Sequence, residues 1–342
     1  MNLVTGATGI IGSHVLLSLL LQNKPVRACR QKGSDILKTK KLFHFYQPGH
    51  QQLWERVEWI ELDVLDQFAI EDALEGVSHV YHCAGFVSFK KSDRKQLFRI
   101  NEQGTRNVVN ACLQKGNVAL CHVSTIGTIN NSDHRGELNE SVFWKTSGKE
   151  SDYALSKYNA EREVWRGMEE GMEAVIVNPG VVLSPVFWTQ SSAQLFSQCY
   201  KGNRFYTSGS TAYVSAPDVA TAMVRLMEEK KFGQRFILIE NNYPFRQIFN
   251  HIQNKFGKPL PDISAGKTLL NAGRFFSWLF SLFSGKDPLL TKSLINAALN
   301  TQTYSGEKVK NELGLQFEPV EKVLDRICDY YLIEASKSSS SV

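Results

Sequence analysis

Tyr153 and Lys157 are side chains that can exchange a proton with a ligand, and they stand four residues apart in the segment SDYALSKYNAERE. Apolar residues recur at helical spacing over 153–170, so both side chains are expected on one face of a helix. A phenol with a pKa of about 10 exchanges protons poorly at neutral pH, whereas a nearby ammonium stabilises the phenolate. The pair therefore indicates proton transfer with a bound ligand.

Two adjacent hydroxyl residues, Ser124 and Thr125, follow the apolar run 118–123. Such a run is typical of a strand that is buried on both faces of a parallel sheet. Ligands of open α/β sheets bind at the carboxyl ends of the strands. The pattern predicts that a hydroxyl group meets Tyr153 and Lys157 in one crevice.

A glycine-rich loop, TGATGIIG at 5–12, follows the first predicted strand and opens the first predicted helix. Gly6 would allow the tight turn, Gly9 the approach of a pyrophosphate, and Gly12 the close packing of helix and strand. The helix N-terminus offers free N–H groups and a positive dipole end to phosphates. In this context the loop indicates a dinucleotide site.

The residues after the second predicted strand favour NADP over NAD. An NAD site needs an acid here for the ribose hydroxyls, but the chain has Arg30 and Lys32, with no acid before Asp35. Cations suit a 2′-phosphate. At the end of the third strand, Asp63 and Val64 could contact the adenine, with an ordinary turn role for Asp63 as the alternative.

Strand and helix patterns alternate over the first half of the chain, which predicts a parallel sheet with helical crossovers. The predicted strands are 3–5, 26–30, 57–62, 79–83, 118–124 and 174–178. The predicted helices between them are 10–22, 67–75, 94–115 and 153–170. The fold class is therefore α/β, a Rossmann-type doubly wound parallel sheet.

A smaller, mainly helical substrate region is expected after Pro179, with helical patterns at 189–200, 216–230, 244–256, 266–283 and 289–300. We predict a dinucleotide-binding domain at 1–180 to which 212–240 returns, a substrate-binding region at 181–211 and 241–334, and a disordered tail at 335–342.

The composition excludes several classes of protein. Apolar residues make up 42% and charged residues 21% of the 342 residues, which excludes a disordered or fibrous chain. A net charge of +5 without a basic run argues against a nucleic-acid partner. Six cysteines without a C-x-x-C pair are expected to be free thiols in the cytoplasm. His79 and His82 lack a third ligand, so no metal site is predicted.

One apolar segment, 269–285, resembles a membrane segment in composition, but Asn271 and Arg274 interrupt it and it is short for a bilayer span. A core or lid helix is favoured over a helix on the membrane surface. Its aromatic part, 275–283, could form a pocket wall for an apolar ketone or aldehyde, or simply belong to the core.

Five segments, in order, resemble the extended short-chain dehydrogenase/reductases, the branch that includes the NAD-dependent epimerase/dehydratases. TGATGIIG resembles the TGxxGxxG loop, and HCAG at 82–85 resembles the NAAG-like segment, with His82 in place of the usual Asn. NEQGTRN at 101–107, YALSK at 153–157 and NPGVV at 178–182 are similar to the NxxGTxN, YxxxK and RPxxV segments, and VSTIGT at 123–128 stands where the family has its active-site hydroxyl. Dihydroflavonol reductase-like and 3β-hydroxysteroid dehydrogenase-like members are the most similar.

This resemblance implies hydride transfer between nicotinamide and a substrate carbonyl carbon. Tyr153 would donate the proton, and Thr125 would hydrogen-bond the substrate oxygen. Ser124 would lie beside the nicotinamide. Lys157 would lower the pKa of Tyr153 and bind the ribose. A shift of one residue would exchange Ser124 and Thr125. The cofactor contacts implied by the loop and the resemblance are Gly6, Thr8, Gly9, Ile10, Ile11, Gly12, Arg30, Lys32, Asp63, Val64, Cys83, Ala84, Gly85, Asn101, Tyr153, Lys157, Pro179, Gly180 and Val182.

The substrate is expected to be a small, largely apolar molecule. Nucleotide-sugar epimerases often carry an Arg shortly before the YV element, and GSTAYV at 209–214 has none. Dehydratases place Asp-Glu after the active-site Thr, where this chain has Ile126 and Gly127. An epimerase remains the alternative, and a non-catalytic NADP-binding regulator is disfavoured by the intact Tyr153 and Lys157. The resemblance also suggests a homodimer.

Overall fold

The computed structural model describes residues 1–49, 51–130, 136–146, 148, 150–189, 191–284 and 291–339. Its strands, in chain order, are β1 (Asn2–Thr5), β2 (Val26–Arg30), β3 (Glu58–Glu61), β4 (His79–His82), β5 (Ala119–Val123), β6 (Ala174–Pro179), β7 (Val181–Leu183), β8 (Phe205–Tyr206), β9 (Ser210–Ser215), β10 (Gln234–Leu238), β11 (Asn241–Pro244) and β12 (Ile263–Ser264). The six strands predicted over the first half are all present, each within two residues of its predicted bounds.

The helices are α1 (Ile10–Leu21), α2 (Leu37–Tyr46), α3 (Gln51–Glu55), α4 (Gln67–Ala73), α5 (Arg94–Leu97), α6 (Gly104–Lys115), α7 (Asp152–Glu169), α8 (Gln194–Tyr200), α9 (Ala216–Glu228), α10 (Phe245–Lys255), α11 (Lys267–Ser284), α12 (Lys292–Leu299), α13 (Glu307–Leu313) and α14 (Val320–Ser339). A π-helical stretch, Phe98–Gln103, joins α5 to α6.

The large sheet has seven strands in the order β10-β6-β5-β4-β1-β2-β3, and every adjacent pair is parallel. The strand order reverses between β1 and β4, which is where a doubly wound sheet opens its ligand crevice. The expected fold class is confirmed.

Helices cover both faces of this sheet, so its central strands are buried throughout. On one face α1 and α9 pack on alternate strand residues such as Val4, Tyr81 and Cys121. On the other face α4, α6 and α7 pack on the intervening residues, among them Leu3 and Leu120. The two cores fix the direction in which each strand delivers its carboxyl end.

The second half adds smaller units. One is the three-stranded sheet β11-β9-β7, and another is the two-stranded pair β12-β8. Helices α8, α10 and α14 pack against β7 and β9 around a separate apolar cluster that contains Phe196, Ile252 and Leu324. Residues 234–238 lie in the large sheet as β10, beside β6.

The C-terminal helix differs from the expectation for the tail. Disorder was predicted for 335–342, but α14 continues to Ser339; residues 340–342 lie outside the described chain. Ile327 and Cys328 are buried, and the Glu334 carboxylate accepts a 2.7 Å hydrogen bond from Trp188 Nε1, so the helix is anchored close to its end. Once such a helix is formed, further residues extend it at little cost.

Helix α11 confirms the helix predicted at 266–283. Most side chains of 275–283, the proposed aromatic wall, lie outside the described residues, as does Gly285. No described helix is both long and apolar enough to cross a membrane.

Candidate active site

The glycine-rich loop lies between β1 and α1 in the conformation that its sequence predicts. Gly6 has a φ of +63°, and a Cβ there would come within 2.7 Å of the Ala84 nitrogen at the end of β4. A Cβ on Gly12 would overlap the carbonyl oxygen of Gly6. Gly6 therefore allows the turn, and Gly12 allows the helix to lie against the loop.

The N-terminus of α1 is open to a ligand. Its N-cap is Gly9, which supplies no side-chain cap, and the first turn contains no acidic residue. Within the described chain no acceptor is assigned to the amides of Ile10, Ile11 and Gly12. Free amides at a positive dipole end, beside a loop with no room for side chains, fit the phosphates of a dinucleotide.

The end of β2 is less basic than its own sequence suggests. Arg30 Nη2 lies 3.1 Å from Oε1 of Glu61, which is the residue paired with Arg30 on β3. Lys32 is exposed, and the described chain gives it no ion pair. The acid that is absent after β2 is thus supplied by the neighbouring strand. Arg27 is bonded elsewhere, to Glu58 and to the carbonyls of α4 and its C-terminal turn.

Asp63 takes the turn role that was its alternative. Its Oδ1 accepts a 3.0 Å hydrogen bond from the Leu65 amide, and a contact with adenine stays a prediction. The carbonyl of Val64 accepts from Asn107 Nδ2 at 3.0 Å, and a Cβ on Gly104 would lie 2.7 Å from a Val64 methyl carbon. Val64 therefore packs directly on the start of α6.

His82 replaces the family's Asn and forms a hydrogen-bonded link between β1 and α6. The Ala84 amide donates to Thr5 Oγ1 at 3.1 Å, and Thr5 donates to His82 Nδ1 at 2.8 Å. His82 Nε2 then donates to Thr105 Oγ1 at 3.1 Å, since that hydroxyl gives its own proton to the Asn101 carbonyl at 2.6 Å. Burial lowers the pKa of His82 to about 3, so the ring is neutral.

Polar groups of the segment after β4 already have partners in the chain. The Ala84 amide donates to Thr5, and a cofactor contact of Ala84 stays a prediction. Asn101 binds the backbone of Phe86 through Oδ1 (2.7 Å) and Nδ2 (2.9 Å), and Nδ2 also donates to Ser156 Oγ at 2.9 Å. The Asn101 side chain thus holds this segment against α7, and direct cofactor contacts of Asn101, Cys83 and Gly85 stay predictions.

The predicted hydroxyl, Tyr and Lys side chains do come together. Ser151 caps α7 by accepting from the Ala154 amide at 3.1 Å, which places Tyr153 in the first turn beside the end of β5. The side chains of Tyr153 and Thr125 are neighbours, and their interaction lowers the pKa of the phenol. The Ser124 hydroxyl is buried and has no partner among the described residues. Thr125, rather than Ser124, is therefore next to Tyr153.

Lys157 lies one turn further along α7 and is 4% exposed. Its Nζ donates to the Val123 carbonyl at 2.6 Å and lies 3.4 Å from His122 Nε2. Burial lowers the pKa of Lys157 to about 8, against the opposing charges of Glu161 and Cys83. Burial raises the pKa of Tyr153 to about 12, and the interaction with Thr125 opposes this rise.

A buried polar network beneath Thr125 was not predicted. Asn178 Nδ2 lies 3.2 Å from the Thr125 carbonyl, 2.9 Å from Thr128 Oγ1 and 2.6 Å from Glu161 Oε1. Arg235 on β10 lies 3.6 Å from the other oxygen of Glu161. The four-residue spacing of Glu161 from Lys157 was a usable signal, because it puts both on one helix face.

The remaining predicted positions lie at the carboxyl end of β6. Pro179 is the last residue of the strand and is buried. A Cβ on Gly180 would lie 2.5 Å from the Ala212 carbonyl oxygen, so this glycine lets β7 approach β9. Val182 pairs with Val214 on β9. Their contacts with a cofactor, like that of Thr8, stay predictions.

The structure explains why the two histidines of β4 do not form a pair. His79 lies at the start of the strand with Nδ1 at 2.9 Å from Ser78 Oγ, and His82 lies at its other end. Successive strand residues alternate faces, so a separation of three puts the two rings on opposite sides of the sheet. In the described part of the chain, no three metal-ligating side chains converge.

Comparison with known proteins agrees with this geometry. A profile of the NAD dependent epimerase/dehydratase family matches residues 2–239. Sterol demethylase protein B of Methylococcus capsulatus is 28% identical over 273 residues, which cover 79% of this chain and 78% of that protein. A putative dihydroflavonol 4-reductase of Synechocystis is 25% identical over 336 residues, with 94% and 91% covered. The crystal structure of gox2253 superposes with a TM-score of 0.80 at 24% identity and 98% coverage of both chains, which shows the shared fold.

Proposed function

Because the chain belongs to the NAD-dependent epimerase/dehydratase family, in which it is an enzyme of the short-chain dehydrogenase/reductase type, we propose that it is an NADP-dependent reductase of a largely apolar carbonyl compound. The observation that carries the proposal is the cluster of Thr125, Tyr153 and Lys157 at the carboxyl edge of the sheet, in which Lys157 is buried and the other two side chains are partly exposed. The reverse reaction would oxidise the corresponding alcohol.

Each side chain has a role in this proposal. Tyr153 donates a proton from its hydroxyl to the substrate oxygen, and Thr125 holds that oxygen with its own hydroxyl. Lys157 binds the cofactor ribose, and its positive charge stabilises the phenolate that forms when Tyr153 gives up its proton. The unpartnered Ser124 hydroxyl is available to the nicotinamide. Bound nicotinamide supplies the hydride.

The phosphates would lie at the α1 N-terminus, on the amides of Ile10, Ile11 and Gly12. NADP is proposed over NAD because the exposed Lys32 and the remaining guanidinium donors of Arg30 can face a 2′-phosphate. Glu61 weakens the preference for NADP, because its carboxylate pairs with Arg30 and offsets part of the positive charge at this position.

Relatives support the apolar substrate. The similarity to a protein named for sterol demethylation and to one named as a dihydroflavonol reductase covers most of the chain, and both names refer to ring compounds with little charge. The absence of an Arg before Tyr213 in GSTAYV is consistent with a substrate that lacks a diphosphate. The second candidate is a nucleotide-sugar epimerase, because the family is named for epimerases as well as dehydratases.

One experiment separates these two reactions. A reductase must exchange its cofactor in every turnover, whereas an epimerase regenerates its cofactor within the cycle. Purified protein with NADPH and a panel of hydroxysteroid-type ketones, flavanones and aldehydes should consume NADPH and one carbonyl compound in equal amounts. Epimer formation from a nucleotide sugar without added cofactor would instead establish the second candidate.

A homodimer and a cytoplasmic location are parts of the same proposal. Light scattering coupled to size-exclusion chromatography tests the dimer. The six cysteines are free thiols, five of them buried, as expected of a protein in a reducing compartment.

A further inference from the structure

A second histidine, His122, lies beneath the catalytic cluster, and the proposed reaction does not use it. It is the fourth residue of β5 and has no exposed surface. Its Nε2 lies 3.4 Å from Lys157 Nζ, and its ring centre lies 5.3 Å from that of His82 on β4. Three basic groups from β4, β5 and α7 are therefore buried together.

The contact with Lys157 determines the tautomer of His122. An ammonium group only donates hydrogen bonds, so the imidazole nitrogen that faces it must carry a lone pair. The ring proton of neutral His122 is then on Nδ1, which is buried and has no partner among the described residues. An apolar side chain would fill this strand position without an unpaired N–H, so the benefit of an imidazole has to come from Nε2.

The donors of Lys157 show what this contact achieves. Lysine has three N–H donors. The Val123 carbonyl takes one at 2.6 Å, and His122 Nε2 takes a second. Both acceptors belong to β5, so together they fix the direction of the third donor. Nζ also lies beside Gly85, 4.0 Å from the place of a Cβ on that residue, and a glycine puts no side chain against it.

We propose that His122 is a positioning residue, a neutral imidazole that accepts one N–H of Lys157 and so directs the remaining N–H toward the bound cofactor and Tyr153. The inference rests on the proposed function, because it assigns Lys157 to the cofactor ribose. The other ionisable groups around this contact are His82 and Cys83 at the end of β4 and Glu161 on α7.

Two substitutions separate hydrogen bonding from packing. His122→Gln keeps an acceptor within reach of Lys157, whereas His122→Leu removes it and keeps a similar volume. His79→Leu, at the opposite end of β4, is the matched control. We expect His122→Leu to weaken NADPH binding about tenfold, the scale of a lost hydrogen bond to a charged group. Most of this loss should be recovered in His122→Gln, and the control should bind NADPH as the unsubstituted protein does.

The pH dependence of NADPH binding gives a readout that packing alone would not change. Lys157 loses its proton near pH 8 in this structure, and loss of an acceptor for the ammonium lowers that value further. The affinity for NADPH should fall as pH rises and Lys157 loses its proton. This fall should begin at lower pH in His122→Leu than in His122→Gln. If the two variants bind NADPH equally and with the same pH midpoint, the proposal is wrong.

The tautomer can be measured without a variant that might disturb folding or a substrate. In protein with ¹⁵N-labelled histidine, the long-range ¹H–¹⁵N spectrum should show His122 with its proton on Nδ1 and His82 with its proton on Nε2. A proton on Nε2 of His122 would overturn the proposal. Failure of all carbonyl compounds to oxidise NADPH would count against the proposed function and leave this tautomer result intact.

Discussion

At the scale of single residues, burial dominates the ionisation of the site. It raises the pKa of Tyr153 from 10.0 to about 12 and lowers that of Lys157 from 10.5 to about 8, so two values that nearly coincide in the free side chains lie far apart in the structure. Their order is also the reverse of the one that an ammonium stabilising the phenolate requires. From the sequence, Lys157 was expected to have the main influence on the pKa of the phenol. In the structure the direct partner of Tyr153 is Thr125, and Lys157 is held by β5.

The first prediction concerns Tyr153. Tyr153→Phe removes only the proton donor, so turnover should fall at least 100-fold while NADPH binds as before. Tyr158→Phe is the control, because Tyr158 lies on the same helix but stacks on Trp144 at 4.5 Å, away from Thr125. Turnover on a confirmed substrate and NADPH fluorescence are the measurements. A Tyr153→Phe protein with most of its activity would contradict the assignment.

The second prediction concerns cofactor choice. Glu61→Gln removes the carboxylate that pairs with Arg30, so NADPH should bind about two- to fivefold more tightly and NADH should change little. The effect is small because both side chains are partly exposed. Glu58→Gln is the matched control, since Glu58 pairs with Arg27, whose other contacts lie at α4. Fluorescence titration measures the affinities for NADPH and NADH. Tighter NADH binding in Glu61→Gln would contradict the prediction.

At the scale of elements, the site depends on backbones that approach too closely for side chains. The β1–α1 loop contacts the end of β4 at Gly6 and folds back on itself at Gly12. The π-helical stretch before α6 carries Asn101, whose side chain binds the backbone after β4 and the α7 residue Ser156. Interruptions of this kind are frequent at functional sites, and helical periodicity over 94–115 did not reveal it.

The third prediction tests the loop. Gly12→Ala places a Cβ on the Gly6 carbonyl oxygen, which can be relieved only by moving the loop or the helix. Stability should fall by about 1–3 kcal/mol, and NADPH affinity should fall at least tenfold. Gly266→Ala, where a Cβ would meet no atom within 4 Å, should change neither. Thermal unfolding and NADPH titration measure both, and an unchanged Gly12→Ala protein would contradict the packing argument.

At the scale of the whole molecule, the buried histidines make stability depend on pH. Burial lowers the pKa of His14 from 6.5 to about 4 and that of His82 from 6.5 to about 3. The pKa of His122 is also lowered, well below its usual range. A group of this kind binds fewer protons in the folded than in the unfolded chain, so the stability that depends on it is complete above pH 6.5 and is lost as pH falls.

The fourth prediction follows from this dependence. Between pH 7.5 and pH 5 the free energy of unfolding should fall by about 2 kcal/mol for each of His14 and His82, and His122 should act in the same direction. Lys157 does not contribute in this window, because its pKa of about 8 lies above it. Urea unfolding at the two pH values measures the change, and His14→Gln should make it smaller. Equal stability at both pH values would contradict the prediction, because the folded chain would then take up as many protons as the unfolded chain over this range.

Periodicity and motif spacing were sufficient for the features that depend on neighbouring residues. The strand–helix alternation, the turn at Gly6, the helix that carries Tyr153 and Lys157, and the two hydroxyl residues after β5 all follow from patterns a few residues long. Such patterns work because hydrogen bonding within a helix and alternation along a strand are local. They left open which hydroxyl faces Tyr153, and they did not predict α2, α3, α13 or α14.

Contacts between distant parts of the chain decided the rest. Arg30 and Glu61 are 31 residues apart, Lys157 and His122 are 35 apart, and Thr5 and His82 are 77 apart. The order and register of the parallel strands bring Arg30 to Glu61 and Thr5 to His82, and the packing of α7 on the sheet brings Lys157 to His122. Strand order results from the packing of helices on both faces, which no single segment encodes. The cofactor's charge environment, the orientation of Lys157 and the tautomers of the buried histidines therefore became visible only in the folded chain.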